Sequence, residues 1–376
     1  PSVLFFLGIL AAVGSLQSAG HLRIMATFLN ETSGDMYVIN IVIGLLSSIV
    51  DNVPLVAGAM GMYVIGPLVP GESYPVDHSF WEFLAYCAGT GGSCLIIGSA
   101  AGVAVMGILN ITPDSFSDGG RFLDDAEAGR AHAAAMVEAG AAIIDVGGES
   151  TRPGAKPLWE GDEIKRVVPA IEACAGMGAA VSVDTRKAAV MEAALDAGAH
   201  LVNDVSGLAH DPRSVEVVAQ AGCPVVLMHA PGAAHEDLHT GGAYTSVVFD
   251  VFDALRARRD AALEAGIEAR NILLDPGIGF GKSLAENLAL MNALPLFHAL
   301  GHPLLLGASR KRMIGALSKE APVDQRLGGS VALALEGMRA GVQMVRVHDV
   351  AETVQARNVW RGLRDAALTD FADLPA

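Results

Sequence analysis

Residues 103–110, VAVMGILN, begin a repeated pattern that decides the fold. A short apolar run that ends in a polar residue, here Asn110, is typical of a buried strand. An alanine-rich stretch of helical character follows, and another apolar run of the same kind begins at residue 141. Strands alternating with helices favour a parallel sheet, because each helix carries the chain back to the start of the next strand.

Seven further runs of this type complete the pattern before the chain ends. They are AAIIDVGG (141–148), AAVSVDT (179–185), HLVNDVS (200–206), PVVLMHA (224–230), NILLDPG (271–277), PLLLGASR (303–310) and QMVRVHD (343–349). Eight strand–helix units in a segment of this length predict an α/β fold, a closed (β/α)₈ barrel of the TIM type. We place it at residues 105–376.

Polar side chains stand at or near the end of every predicted strand. In chain order they are Asn110, Asp145, Asp184, Asn203, Met228 with His229, Asp275, Ser309 to Lys311, and Arg346 with His348. A single such aspartate is usually a turn former or a helix cap. In a parallel barrel, however, the carboxyl ends of the strands surround one cavity, and so many charges there would be costly for structure alone. We therefore expect a binding site.

Two groups of chemistry are present among these residues. The carboxylates of Asp145, Asp184 and Asp275, with the amide of Asn203, suit a flat, nitrogen-rich heterocycle. Lys311, Arg346 and His348 offer positive charge for a leaving phosphate. Asn110 offers a neutral oxygen, a ligand that Mg²⁺ accepts.

Two other classes of site are excluded. The chain carries 25 basic and 41 acidic residues, a net charge of −16, and an acidic surface repels nucleic acid. The glycine-rich stretch PGIGFGKS (276–283) has Pro276 where a nucleotide-binding phosphate loop requires glycine.

Residues 1–104 differ in composition from the rest. They contain a single basic residue, Arg23, and three apolar stretches at about 2–19, 37–66 and 80–106. Each stretch is near or above the ~18–20 residues that cross a bilayer as a helix. We therefore predict an all-α, membrane-type helical segment before the barrel.

The motifs of the barrel segment resemble those of the dihydropteroate synthase family. In order they are MGILNITPDSFSDGG (106–120), IIDVGGESTRPGA (143–155), VSVDTRK (181–187), LVNDVSG (201–207), LLDPGIGFGK (273–282), GASRKRMIG (307–315) and RVHDV (346–350). The resemblance runs from about Val105 to Leu363. It implies condensation of 6-hydroxymethyl-7,8-dihydropterin diphosphate with 4-aminobenzoate, with pyrophosphate released, and it implies a homodimer.

The same resemblance implies a role for each matching residue. Asp184, Asn203, Asp275 and Lys311 correspond to the pterin pocket, with Met228 against the ring. Arg346, His348 and Asn110 correspond to the diphosphate and Mg²⁺ site, with Asp145 at its edge. Thr151, Arg152, Pro153, Phe280 and Ser309 correspond to the aminobenzoate site. We expect Arg346, His348, Lys311 and Asp145 to act in catalysis.

Residues 1 to about 106 resemble the C-terminal part of NhaD-type sodium/proton antiporters, in SSIVDNVPLVAGAMGMY (47–63) and DHSFWEFLAYCAGTGGSCLIIGSAAGVAVMG (77–107). That resemblance implies a membrane-anchored protein with a cytoplasmic barrel. Three spans are too few for a transport site, so an inert anchor is the favoured interpretation. A pterin-binding methyltransferase and an inactive chimera stay open as alternatives.

Overall fold

The structure is a computed structural model of the chain. It describes residues 19, 24, 27–29, 39, 62–66, 73–75, 78, 80–81, 103–112, 126–152, 154–232 and 238–365. The chain divides into two compact units, Pro1–Gly102 and Val103–Ala376. Our predicted boundary at residue 105 lies two residues further along the chain.

The described part of the first unit is a small aromatic cluster. Val64–Ile65 pairs in parallel with Ser73–Tyr74. The Tyr74 and Phe80 rings stack with centroids 4.1 Å apart, and the Tyr63 ring meets Phe80 edge-on at 4.9 Å. These contacts bury all three rings.

The predicted membrane spans find no counterpart in the described residues. None of the helices there is both long enough and apolar enough to cross a bilayer. The stretches at 2–19 and 37–66 lie almost entirely outside the described residues. The end of the third stretch overlaps the strand predicted at 103–110, and the structure confirms that strand, because Ala104–Asn110 form it and its first residues pair with residues near the C-terminus.

The second unit is an eight-stranded parallel sheet with helices between the strands. The strands are β1 (Ala104–Asn110), β2 (Ile143–Gly147), β3 (Ala180–Asp184), β4 (Leu201–Asp204), β5 (Val225–Met228), β6 (Ile272–Asp275), β7 (Leu305–Leu306) and β8 (Met344–Val347). Each of the eight predicted runs contains one strand. The order in the sheet is β6-β5-β4-β3-β2-β1-β8-β7.

Ten α-helices lie in the described part of this unit. They are α1 (Ala126–Glu138), α2 (Glu160–Gly176), α3 (Ala188–Asp196), α4 (Ser214–Ala221), α5 (Val247–Glu264), α6 (Leu284–Asn292), α7 (Leu294–Phe297), α8 (Arg312–Leu317), α9 (Leu327–Arg339) and α10 (Val350–Asp365). The helix between consecutive strands is the crossover that a parallel sheet requires.

A single bridge brings the two ends of the sheet together. Leu274 of β6 forms a parallel bridge with Leu304, just before β7, and its amide donates to the Pro303 carbonyl at 2.9 Å. The sheet is therefore a nearly closed barrel of the TIM type, as the sequence predicted.

Alternation along the strands separates two sets of side chains. Val105 and Leu109 of β1 belong to the large core shared with the helices, whereas Met106 packs with Leu201, Val226, Leu305 and Met344 in a separate cluster of strand residues only. Because successive side chains of a strand point to opposite faces, this second cluster fills the barrel interior near the strand starts.

The same alternation carries polar residues into the barrel at the other end. Two residues beyond Leu201 comes Asn203, and two beyond Met344 comes Arg346. Asp145 differs from our expectation, because it lies in the middle of β2 and not at its end, with no exposed surface. It nevertheless faces the same interior as Ile143, so it joins the polar layer.

Candidate active site

Arg346 connects three strands at the mouth of the barrel. Its Nε donates to Asp145 Oδ2 at 2.5 Å, and its Nη2 donates to Asp184 Oδ2 at 2.6 Å. Asn203 Nδ2 also donates to Asp145 Oδ2, at 3.2 Å. Four predicted site residues from distant parts of the chain are thus in direct contact.

Burial sets the electrostatics of this group. It raises the pKa of Asp184 to about 7, although the nearby Arg346 guanidinium acts in the opposite direction. Burial also disfavours the guanidinium charge, yet Asp145 and Asp184 together raise the pKa of Arg346 above its usual value. Arg346 is therefore a fixed cation, and Asp184 is a carboxyl group that can change protonation near neutrality.

One carboxylate oxygen in this group has no partner. Asp145 Oδ1 is buried and finds no hydrogen-bond donor among the residues that the structure describes. Leaving such an atom unsatisfied costs about 1–3 kcal/mol, more for a charged group. A bound ligand that donates a hydrogen bond would remove that cost.

Asn110 and Asp184 approach each other over Gly147. A Cβ atom on Gly147 would lie 3.3 Å from Asn110 Oδ1 and 3.7 Å from Asp184 Oδ2. Glycine therefore keeps open a space that two hard oxygens border. An amide oxygen and a carboxylate oxygen are donors that Mg²⁺ accepts alongside water and substrate oxygens. The described residues hold no cluster of three His, Cys, Asp or Glu side chains suited to a metal.

Lys311 and Asp275 lie on another side of the barrel mouth. Lys311 Nζ stands 4.0 Å from the centroid of the Phe280 ring, within cation–π range. Burial and the nearby Arg346 together lower the pKa of Lys311 to about 8, against the effect of Asp275. Burial raises the pKa of Asp275 to about 6, even though the Gly277 amide donates to its Oδ1 at 2.7 Å.

Ser309 orients His348. Its Oγ accepts from the His348 backbone amide at 3.2 Å and lies 3.0 Å from His348 Nδ1. When the Ser309 hydroxyl donates to Nδ1, the imidazole hydrogen lies on Nε2. Burial lowers the pKa of His348 to about 3, with Arg310 and Arg346 acting in the same direction. His348 is thus a neutral donor, in contrast to the positive charge expected from sequence.

The aminobenzoate-site residues lie on three connections, after β2, β6 and β7, with Ser309 on the last of them. Met228 and Phe280 belong to one small buried cluster. The Thr151 carbonyl lies 2.5 Å from His239 Nε2, and the His239 ring stacks on Phe280 at 5.1 Å. Arg152 is close enough to His348 to act on its charge. Pro153, another member of this predicted set, lies outside the described residues, as do residues 113–120.

Sequence reasoning missed Lys282 and His239. Lys282 Nζ donates to the Gly277 carbonyl at 2.9 Å, the Phe280 carbonyl at 3.0 Å and the His229 carbonyl at 3.4 Å. Three carbonyls match the three N–H groups of an ammonium, although burial lowers the pKa of Lys282 to about 7. Its place in a glycine-rich stretch was a signal of a special loop, whereas nothing in the sequence singled out His239.

Together these features define a class of protein: a parallel-barrel enzyme whose mouth combines buried carboxylates, an amide and fixed cations around one pocket. Comparison with known proteins gives the same class. A family model described as "Pterin binding enzyme" matches residues 106–348.

Individual relatives are more specific. The dihydropteroate synthase of Bacillus subtilis is 45% identical over 250 residues, which cover 66% of this chain and 84% of that protein. A solved dihydropteroate synthase of Xanthomonas albilineans, in a structure with 4-aminobenzoic acid, is 46% identical with a TM-score of 0.65, and the match covers 70% of this chain and 94% of that one.

A probable bifunctional folylpolyglutamate synthase/dihydropteroate synthase of Haloferax volcanii is 50% identical over 264 residues. The match covers 70% of this chain but 31% of that relative. The chain belongs to the dihydropteroate synthase family. The resemblance stated from the barrel motifs is thereby confirmed, whereas these comparisons give no support to the antiporter-like fragment.

Proposed function

We propose that the chain condenses 6-hydroxymethyl-7,8-dihydropterin diphosphate with 4-aminobenzoate to give 7,8-dihydropteroate and pyrophosphate. The observation that carries this proposal is the contact of the Arg346 guanidinium with both Asp145 and Asp184, beside Asn203, inside a barrel of this family. This contact brings the acceptors and donors that suit a heterocycle next to a fixed cation in one pocket.

The acidic side of the pocket binds the pterin ring. Asp184, Asn203 and Asp275 are buried or nearly so, and each offers an oxygen to the N–H groups of a flat ring. Lys311 donates in the opposite sense to a ring carbonyl or nitrogen. Met228 supplies apolar contact from the next strand, in register with Asp275.

Arg346 and His348 assist the departure of the diphosphate. The C–O bond between the pterin methylene and the diphosphate breaks, and the electron pair leaves with the oxygen. Arg346 offsets the developing charge as a cation, and His348 donates from Nε2 as a neutral group. Both are held in place before substrate binds, Arg346 by two carboxylates and His348 by Ser309.

We further propose Asn110 as the protein ligand of Mg²⁺, because its side-chain oxygen borders the open space over Gly147. Magnesium supplies Lewis-acid stabilisation of phosphate charge when it is bound. The protein's own part is to keep the Asn110 and Asp184 oxygens around that space.

Attack by 4-aminobenzoate completes the reaction. The amine nitrogen forms a bond to the pterin methylene and then loses one proton. An aromatic amine is largely unprotonated near neutrality, so positioning matters more than a strong base. We assign this positioning to Thr151, Arg152, Pro153, Phe280 and Ser309.

The decisive experiment measures pyrophosphate release by the full chain with both substrates and Mg²⁺. Release that requires 4-aminobenzoate and yields dihydropteroate supports the proposal. An inactive chain would favour the inactive chimera, and methyl transfer without pyrophosphate release would favour the pterin-dependent methyltransferase.

Arg346→Ala tests the role of the fixed cation. We expect kcat to fall by about 10²-fold or more, with a much smaller loss of pterin diphosphate affinity, because the guanidinium acts mainly on charge that develops as the diphosphate leaves. Steady-state kinetics and calorimetry measure the two quantities. Equal losses in turnover and affinity would contradict the role.

Three other properties are also proposals. We propose a homodimer, a membrane-associated segment within residues 1–104 derived from an antiporter-like sequence, and a barrel on the cytoplasmic side. The family resemblance supports the dimer, and the apolar composition of residues 1–104 supports the membrane segment. Analytical ultracentrifugation tests the dimer, and sedimentation with membranes, followed by protease accessibility, tests the rest.

A further inference from the structure

Four buried ionisable side chains lie next to the connection that carries Thr151 and Arg152. We call them the loop-base cluster: Glu149, Glu163, Arg186 and Lys187. Lys187 Nζ lies 2.8 Å from Glu149 Oε1 and 2.6 Å from Glu163 Oε2, and Arg186 Nε lies 3.1 Å from Glu149 Oε2. All four side chains are at most 11% exposed. Two basic side chains therefore pair with two carboxyl groups away from water.

The loop-base cluster joins the two ends of one connection, residues 149–158 between β2 and α2. Glu149 is the first residue of this segment, and its Oε1 accepts from the Leu158 amide at 2.8 Å. Lys187 Nζ donates to the Leu158 carbonyl at 2.7 Å as well as to Glu149. Lys187 thus has three acceptors for its three N–H groups, and two of the three belong to the loop ends.

The start of the connection packs closely against helix α2. A Cβ atom on Gly148 would lie 2.7 Å from Val167 Cγ1 and 3.0 Å from Glu163 Cγ, so glycine lets α2 approach the start of the loop. Arg166 of α2 donates to the Gly148 carbonyl at 2.9 Å. The start of the loop is therefore held by α2 and its end by Lys187.

The connection carries Thr151 and Arg152, which belong to the proposed aminobenzoate site. The Thr151 carbonyl contacts His239, which stacks on Phe280, and Arg152 acts on the charge of His348. A shift of the loop base would move both residues relative to Phe280 and His348. The acidic pterin group around Asp145 and Asn203 has its own contacts and does not include the loop.

The two carboxyl groups of the cluster differ in pKa. Burial raises the pKa of Glu163, although Lys187 acts in the opposite direction. Burial acts to raise the pKa of Glu149, but hydrogen bonds from Lys187 and the Leu158 amide hold it below its usual value. Glu149 therefore stays ionised at neutral pH and remains a strong acceptor for the Leu158 N–H. Buried ion pairs contribute little net stability, so this arrangement is better explained by the geometry it imposes.

We infer that Glu149 and Lys187 are positioning residues for 4-aminobenzoate, which fasten the base of the 149–158 connection so that Thr151 and Arg152 meet the second substrate. This inference rests on the proposed function. It assigns these two residues no contact with either substrate.

The test compares full-length variants in steady-state kinetics. In Lys187→Met the ammonium is replaced by an uncharged chain of similar length, and the KM for 4-aminobenzoate is expected to rise about tenfold or more, since small misplacements of positioning groups have large effects. We expect kcat to change less than about threefold and the pterin diphosphate Kd, measured by calorimetry, less than about twofold.

Lys187→Met leaves two buried carboxylates with one guanidinium and can fold poorly. The double variant Glu163→Gln/Lys187→Met restores the charge balance while still removing both contacts to the loop ends, and it is expected to show the same rise in KM. Hydrogen exchange of the Leu158 amide should accelerate in both variants. Lys165→Met, which removes an exposed ion-paired lysine on α2, is the matched control and should keep wild-type values.

The outcomes distinguish a failure of the positioning role from a failure of the proposed function. Loss of folding alone lowers the active fraction, and with it the apparent kcat, but leaves KM unchanged. An active wild type with an unchanged 4-aminobenzoate KM in both variants would overturn the positioning role, as would an equal rise in the pterin diphosphate Kd. A wild-type chain that releases no pyrophosphate would instead overturn the proposed function.

Discussion

At the scale of single residues, the pocket depends on groups whose charge burial has changed. Lys311 loses part of its preference for the proton because it is enclosed beside Arg346, and Asp184 holds its proton more tightly because it is enclosed beside Asp145. Arg346 does not respond in this way, since a guanidinium keeps its charge throughout the physiological range. The pocket therefore combines the fixed charge of Arg346 with groups, among them Lys311 and Asp184, whose charge depends on pH.

This difference predicts the pH dependence of pterin binding. The pKa of Lys311 is lowered from 10.5 to about 8, so the side chain loses its proton, and its charge, as pH rises through about 8. Pterin diphosphate affinity should therefore weaken above that pH in the wild type and stay nearly constant to pH 10 in Lys311→Arg. Calorimetry across pH 6–10 measures this, with Lys165→Arg as an exposed control. A flat wild-type profile would contradict the role of Lys311.

At the scale of elements, the connection from β6 to α6 is unusually constrained. Gly277, Gly279 and Gly281 all have positive φ. The Lys282 ammonium donates hydrogen bonds to carbonyl groups of the turn. The turn ends in Ser283, which caps α6 by accepting from the Glu286 amide while Glu286 accepts from the Ser283 amide. This rigid connection places Phe280 against Lys311.

Gly277 provides the test of that constraint. Its φ is +69°, and a Cβ atom there would lie 1.9 Å from the His229 carbonyl oxygen. Gly301 has a similar φ of +78°, but nothing lies within 4 Å of its Cβ position. Gly301→Ala should therefore cost only the backbone term of about 1–2 kcal/mol, and Gly277→Ala clearly more. Urea denaturation measures both, and equal losses would show that the turn can relax around the added methyl group.

At the scale of the whole molecule, the first strand completes the barrel with the last. β1 pairs with β8 from Ala104 to Gly107, the Ala104 amide donates to the Gln343 carbonyl at 2.9 Å, and Arg357 of α10 donates to the Val103 carbonyl at 3.1 Å. The chain segment that starts the second unit therefore holds its C-terminal elements, including the strand that carries Arg346.

Two truncations separate these contributions. A chain that starts at residue 101 keeps all of β1 and should fold and release pyrophosphate. A chain that starts at residue 107 loses three of the four residue pairs with β8 and the buried Val105 and Met106, each worth about 1.5–3 kcal/mol. We expect it to be insoluble or inactive, as judged by soluble yield and the pyrophosphate assay. Equal behaviour of the two chains would show that β1 is dispensable.

The amino-acid sequence by itself determined the barrel and most of the pocket's residues. Alternation of apolar runs with helices is a local signal, and the polar ends of parallel strands must meet at one mouth, so Asn203, Asp275 and Arg346 could be placed together in advance. The barrel motifs were long enough to indicate the family. The apolar run at 103–110 was assigned to a strand because it ends in Asn110 and is followed by a helical stretch, and the structure confirms that assignment.

Only the tertiary structure decided how those residues interact. The contacts of Arg346 with Asp145 and Asp184 span 201 and 162 positions along the chain, and the loop-base cluster joins Glu149 to Lys187 across 38. The neutral state of His348 likewise follows from its enclosure beside Arg310. Such pairings depend on which side chains packing brings together and on how far it excludes water, and neither is written in the local periodicity of the chain.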